Sequence, residues 1–125
     1  MTSKPASGPH YSPFTIGAGL IFVSGQLPLR PGRDTSLASA PFVMQAEQAL
    51  QNLKNVLEDA GADLSQVLKT TVYLSDIADW DELDTVYSRF FGETRPSRSV
   101  VPTGPLHFGF RIEIEAVALA ATSTA

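Results

Sequence analysis

Apolar residues recur along this chain with two different periods, and the changes between them mark out the elements. Phe14 to Ile16 and Leu20 to Ser24 are short apolar runs on either side of Gly17-Ala18-Gly19. Glycines that accept unusual backbone angles are what a tight hairpin turn requires. From Phe42 the period lengthens. Phe42, Ala46, Ala49, Leu50, Leu53, Val56, Leu57 and Ala60 follow three- and four-residue steps, with Gln45, Gln48, Asn52, Asn55 and Asp59 on the other side. This spacing predicts a helix packed on a core. Pro41 suits its first turn, and Gly61 its end, where a left-handed cap favours glycine.

Val67 to Leu74 is β-branched and aromatic enough to be a strand. Asp79 and Glu82 have capping-box spacing and open a second helix. Its buried side would be Trp80, Leu83, Tyr87, Phe90 and Phe91, and Gly92 ends it. Arg98 to Val101 reads as a short strand, and Phe108 to about Leu119 as a long alternating one.

The order β-β-α-β-α-β-β predicts a single α+β domain over residues 1–125, with residues 1–10 (Pro5, Gly8, Pro9) as a loosely ordered arm. Helical crossovers imply parallel pairing and the hairpins antiparallel pairing, hence a mixed sheet. Two helices cover only one face of it. In the last strand Phe108, Phe110, Ile112, Ile114 and Ala116 should meet the helices, while Arg111, Glu113, Glu115, Val117 and Leu119 point away. That second set mixes charge with apolar surface, as a contact between subunits does.

Composition then removes whole classes of chemistry. Hydrophobic residues make up 43% and charged ones 18%, ordinary values for a globular chain. Nine Lys and Arg against thirteen Asp and Glu give a net charge of −4, with no basic cluster, which disfavours nucleic acid and anionic membranes as partners. There is no cysteine, so disulfides, thiolate catalysis, zinc–thiolate sites and iron–sulfur clusters are excluded. His10 and His107 have no partner at metal-ligand spacing, so each reads as a loop histidine and no metal is expected. The chain begins without a signal-peptide pattern and carries no apolar stretch near the ~18 residues of a membrane span, so it reads as cytoplasmic.

Arg98 is the residue to single out. A guanidinium in a short apolar strand needs a partner, because breaking a buried pair costs about 3–5 kcal/mol. Either it pairs internally, with Glu113 or Glu115, or it grips an acidic ligand through two parallel hydrogen bonds. Glu113 could be balanced by Arg111, two residues away on the same face. Ser24 could be a turn residue, and Tyr11 a surface anchor.

Tyr11-Ser12 followed by Leu20-Ile21-Phe22-Val23-Ser24-Gly25-Gln26-Leu27-Pro28 resembles the opening of the Rid (YjgF) family of enamine and imine deaminases. The likeness continues through Gln48 to Lys54, Ala60-Gly61-Ala62 and Val67 to Leu74, and ends with Pro96-Ser97-Arg98-Ser99 and Ile112 to Ala118. It implies a chorismate-mutase-like fold, a six-stranded sheet backed by two helices, and a homotrimer with clefts at the subunit boundaries. Arg98 matches the arginine that holds the substrate carboxylate, Glu113 the carboxylate that positions water, and Tyr11 and Ser24 positions lining the cleft. The implied substrate is 2-aminoacrylate or a related imine, converted without any cofactor to a 2-oxo acid and ammonia.

Several positions depart from the family pattern. Val100 stands where cysteine is common, Asp84 replaces a frequent asparagine, Pro105-Leu106-His107 takes the place of Arg-Leu-Pro, and Pro13 follows Tyr11-Ser12. Val100 and Asp84 therefore count as specificity positions within the substrate site. The other readings are a non-catalytic trimer binding small carboxylates or partner proteins, RNA cleavage, and a pathway-specific deaminase of an aminomuconate-like compound.

Overall fold

The computed structural model describes residues 9–121. Most of the expected arm, residues 1–8, lies outside the described residues.

Five strands and two helices alternate as the hydrophobic pattern predicts: β1 (Phe14–Gly17), β2 (Leu20–Gln26), α1 (Phe42–Asp59), β3 (Val67–Leu74), α2 (Trp80–Phe91), β4 (Ser97–Pro102) and β5 (Ile112–Leu119). They form one mixed sheet in the order β1-β2-β5-β3-β4. The β3–β4 pair is parallel, joined across α2, and all other pairs are antiparallel. The sheet among the described residues has five strands, as the element order gives, and not the six implied by resemblance.

The hairpin between β1 and β2 turns on two residues, Ala18 (φ 53°) and Gly19 (φ 77°), which matches the twist of the flanking strands. The end of α1 follows directly from Gly61. At φ +83° it lets its own N–H reach Glu58 O (3.0 Å) and the Ala62 N–H reach Leu57 O (2.8 Å), satisfying two orphan carbonyls.

Both helices pack on one face. Leu50, Leu53 and Leu57 of α1 and Leu83 of α2 meet Ile21, Val72, Ile112 and Ile114 of the sheet, all fully buried. The other face carries Phe22 opposite Val117, Glu115 opposite Thr71 and Glu113 opposite Tyr73, with no helix or strand over it among the described residues. Among the described residues no helix is long and apolar enough to cross a membrane.

Four expectations require correction. β5 starts at Ile112, because Phe108 sits in a short helical turn at φ 64° and stands exposed, while only Phe110 of that segment is buried. Asp79 does not cap α2 through its side chain. Its carboxylate instead receives Arg111 Nε (3.1 Å) and Nη2 (2.5 Å), so Arg111 is committed there and not to Glu113. Trp80 is partly exposed, displaced from the core by the preceding helical turn at Ile77–Asp79. Gln45, placed on the polar side of α1, is completely buried.

The Gln45 amide explains its own burial. Its oxygen accepts the Arg111 backbone N–H (2.9 Å), and its nitrogen donates to Ala38 O (3.3 Å) and Ala40 O (3.0 Å). It joins the chain before α1 to the start of β5. Gln45→Leu strands these three backbone groups and is expected to cost about 2–4 kcal/mol, read as a lowered urea midpoint. An unchanged midpoint would show that the amide carries no structural weight.

Candidate active site

A cleft of about 420 Å³ opens beside the irregular end of β2, with Tyr11, Ser24, Gly25, Arg33, His107 and Glu113 among its walls. The pairing of β2 with β5 breaks between Val23 and Gln26, so Ser24 and Gly25 form a bulge. Bulges re-aim side chains next to functional sites. Here the bulge makes room for Glu113. A Cβ at Gly25 would lie 2.3 Å from Glu113 Oε2, so only glycine allows the carboxylate to rest against this backbone.

Ser24 works as a tether. Its hydroxyl donates to Ser12 O (2.6 Å) and its backbone N–H to Pro13 O (3.0 Å), fixing the segment that carries Tyr11 across the cleft. Gln26 donates its amide to Ser24 O (2.9 Å), and Asn52 reaches from α1 to Leu27 O (2.9 Å) and Leu29 O (2.8 Å). The cleft wall is therefore hydrogen-bonded along its length.

Glu113 is half-buried, and its carboxyl is held above the ordinary carboxylate range. Desolvation is the leading cause; Glu115, two residues along the same strand, adds repulsion, and His107 opposes both. Glu115 is itself engaged by the Tyr73 hydroxyl (2.6 Å). His107 stacks on Phe108 with ring centroids 3.6 Å apart, so the Pro105-Leu106-His107 departure places an imidazole in the cleft.

Arg98 lies elsewhere. It is in register with Thr70, which is buried under α2 and bonded to the Tyr87 hydroxyl (2.7 Å), so Arg98 leaves the sheet on the helix side. Its Nη1 donates to Asp84 Oδ1 (2.9 Å), and its guanidinium carbon lies 4.8 Å from the Tyr87 ring centre and 5.3 Å from that of Trp80. The internal partner is thus Asp84, not Glu113 or Glu115. The contact uses one nitrogen of the fork, and Asp84 is 44% exposed. Among the described residues Nε and Nη2 have no hydrogen-bond partner. Val100, on the same side of β4, packs partly buried against the core.

Within one protomer Arg98 and Glu113 therefore occupy opposite faces of the sheet. Glu113 pairs with Tyr73 and Tyr73 with Val101, so Arg98 is two strands across and three residues along, about 14 Å between Cα positions by strand spacing. Tyr11, Ser24 and Glu113 are brought together in one cleft; Arg98, Asp84 and Val100 form a separate group.

Sequence reasoning passed over Arg33 and Phe108 as cleft residues, and treated Gly25 only as part of a turn. Nothing in local pattern announces them, because the bulge and the turn at Phe108 bring them in. Asn52 had a signal in its place on the polar side of α1.

Gly25→Ala provides a direct check of the packing. Forcing the carboxylate off this backbone is expected to lower any activity that depends on Glu113 by about tenfold or more, since small misplacements of a reacting group are costly. Urea unfolding distinguishes displacement from collapse of the fold: a lost activity with an unchanged midpoint supports the contact.

Known proteins place these features in a family. A family model described as Endoribonuclease L-PSP matches residues 1–120. Protein HMF1 of Saccharomyces cerevisiae is 39% identical over 116 residues, covering 93% of this chain and 88% of its own. A 2-iminobutanoate/2-iminopropanoate deaminase of Homo sapiens is 39% identical over 114 residues, 91% of this chain and 82% of that protein. The crystal structure of E. coli TdcF with bound serine superposes with a TM-score of 0.81 at 31% identity, covering 93% of this chain and 91% of that one. The chain belongs to the Endoribonuclease L-PSP family, the Rid (YjgF/RutC) group that its sequence resembles.

Proposed function

We propose that this protein hydrolyses reactive enamines and imines of the 2-aminoacrylate type to 2-oxo acids and ammonia. One observation carries the reading: Glu113, a half-buried carboxyl whose ionisation is disfavoured, rests against Gly25 in a cleft faced by Tyr11. Relatives called 2-iminobutanoate/2-iminopropanoate deaminase support it.

A carboxyl with a raised pKa holds its proton nearer neutrality and can then act as either acid or base. Glu113 gives its proton to the terminal carbon of the enamine, and the electron pair of the C=C bond forms the new C–H bond. The resulting imine accepts water at its carbon while the Glu113 carboxylate takes a proton from that water. Collapse of the adduct expels ammonia and leaves the 2-oxo acid, so one enamine and one water give one oxo acid and one ammonia. The scheme asks for no metal or cofactor.

The carboxylate of the substrate needs a cation. Arg98 and Glu113 sit on opposite faces of one protomer, so Arg98 serves a site whose Glu113 belongs to a neighbouring copy. A head-to-tail contact of this kind repeats around a closed ring, which agrees with the homotrimer that the resemblance implies and gives the uncovered sheet face an occupant. Asp84 is displaced from Arg98 when substrate binds, and Val100 sets the packing behind the guanidinium. The site operates in the cytoplasm, where pyridoxal-phosphate enzymes release such intermediates.

Ammonia and pyruvate release from enzymatically generated 2-aminoacrylate tests this directly. A rate no higher than the spontaneous one, for this and for a panel of 2-imino acids, overturns the reading. The Nε and Nη2 of Arg98, free among the described residues, also fit a second possibility, a trimeric binder of small carboxylates without turnover. Calorimetric binding of 2-oxobutyrate with no hydrolysis of any imine would select it. RNA cleavage finds no support in a net charge of −4.

A further inference from the structure

We infer that Arg33 grips a second acidic group on the substrate, so that the cleft selects imines and enamines carrying two carboxylates. This rests on the deaminase reading above and goes beyond it, naming the substrate class.

Three polar side chains along the cleft are already engaged. Ser24 is tied to Ser12, Gln26 to Ser24, and Asn52 to Leu27 and Leu29. Arg33 shares the cleft with Glu113, and among the described residues its side chain has no ion-pair or hydrogen-bond partner. The neighbouring acid cannot supply one cheaply. Asp34 is turned toward the backbone, accepting the Ser36 N–H at 2.8 Å.

The loop that carries Arg33 is built to hold its direction. Arg30 and Asp34 exchange both backbone hydrogen bonds, at 3.0 and 3.1 Å, closing a tight turn over three residues. Gly32 (φ 81°) and Arg33 (φ 59°) both lie in the left-handed region. Glycine or asparagine fits that conformation better than arginine, which is strained there by about 1–2 kcal/mol. Backbone geometry therefore does not account for an arginine at this position. Strain of this order persists where the surrounding structure holds it in place, and it clusters at active sites and ligand clamps.

Charge complementarity identifies the task. One carboxylate of a 2-imino acid is met by Arg98 of the neighbouring copy, at the end of the site where the C=N bond meets Glu113. A monoacid then leaves Arg33, on the wall of the same cleft, with nothing to bind. A second carboxylate at the far end of the substrate fills that place with the planar fork suited to it. The cleft, at about 420 Å³, has room for a chain longer than three carbons. The reaction is unchanged: the imino diacid takes up one water and releases one ammonia, and its distal carboxylate stays intact.

The experiment compares 2-iminoglutarate with 2-iminobutanoate, each generated by an amino-acid oxidase, and scores imine lost to the enzyme against imine trapped by semicarbazide. Arg33→Asn is chosen because asparagine accepts the left-handed backbone, and Arg33→Lys because it keeps the charge. In Arg33→Asn the ratio of kcat/KM for the diacid over the monoacid is expected to fall about tenfold or more, mainly through KM, with a smaller fall in Arg33→Lys. A ratio that moves by less than about twofold in Arg33→Asn overturns the assignment.

If the parent consumes neither imine, the deaminase reading fails and binding decides the role of Arg33. Calorimetry with 2-oxoglutarate and 2-oxobutyrate then supports it when Arg33→Asn selectively weakens the diacid, and overturns it when both affinities shift alike.

Discussion

Arg98→Ala is expected to lower kcat/KM for 2-imino acids by about 10²-fold or more, because on the proposed reading it removes the charged fork for the substrate carboxylate. The loss should appear largely in KM, and Arg98→Lys should recover only part of it, since an ammonium cannot hold a carboxylate by two parallel bonds. Stability should change little by comparison. Arg98 gives one hydrogen bond to a half-exposed Asp84 and lies over Tyr87 and Trp80 at the rim, and such exposed pairs contribute about 0–1 kcal/mol. Asp84→Asn supplies the complementary result. It removes the internal competitor for the guanidinium, so KM for a carboxylate substrate falls. Steady-state kinetics on the three variants checks both statements, and a parent-like Arg98→Ala would remove this residue from the site.

Glu113→Gln is expected to lower kcat by about 10²–10⁴-fold, the contribution of one positioned acid–base group. The same change should raise thermal stability at neutral pH. Burial and Glu115 hold the native carboxyl above its unfolded value, so the folded state binds this proton more tightly than the unfolded chain does. As pH rises from the unfolded pKa through the native one, ionisation of Glu113 withdraws stability. Glutamine has no such ionisation. Its variant should therefore melt higher than the parent at neutral pH, and the difference should vanish in acid, where Glu113 is protonated. A melting difference of opposite sign would show that the carboxylate is stabilised in the native state. Activity and stability moving in opposite directions at one position is what a functional carboxyl placed for chemistry produces.

The architecture was readable in the sequence because apolar periodicity and backbone chemistry agreed. The α1 stripe, the Gly61 cap and the alternation from Ile112 to Ala118 each depend on residues close in the chain, and all appear in the structure. The errors arise where a distant residue outcompetes a local one. Asp79 has the spacing of a cap, but Arg111, thirty-two residues away, offers a charged partner and takes the carboxylate. Gln45 looks like helix surface until the segments before α1 and β5 converge on its amide. Phe108 continues the alternation on paper, but the positive φ at Phe108 and Gly109 ends it.

The site divides in the same way. Tyr11, Ser24 and Glu113 follow from the family resemblance and meet in one cleft. Their supports, the Gly25 contact and the Ser24–Ser12 tether, arise from a bulge that no local pattern reveals. The sequence offers Arg98 either an internal carboxylate, Glu113 or Glu115, or an acidic ligand; strand register puts it on the other side of the sheet, beside the one departure, Asp84, that can pair with it. Pairing of subunits is not written in one chain's periodicity beyond the uncovered face.

The claim that everything else depends on is that Arg98 of one copy and Glu113 of another make a single site. Arg98→Ala and Glu113→Gln are each inactive on this account, and mixing them before reassembly puts intact Arg98 and intact Glu113 on different chains. Co-refolded at equal amounts, the two inactive variants should recover about a quarter of the parental imine hydrolysis, the share of contacts in a ring where both intact residues meet. Recovery near zero, with the mixed assemblies shown to form, would mean that each site is built from one protomer alone and would contradict the account.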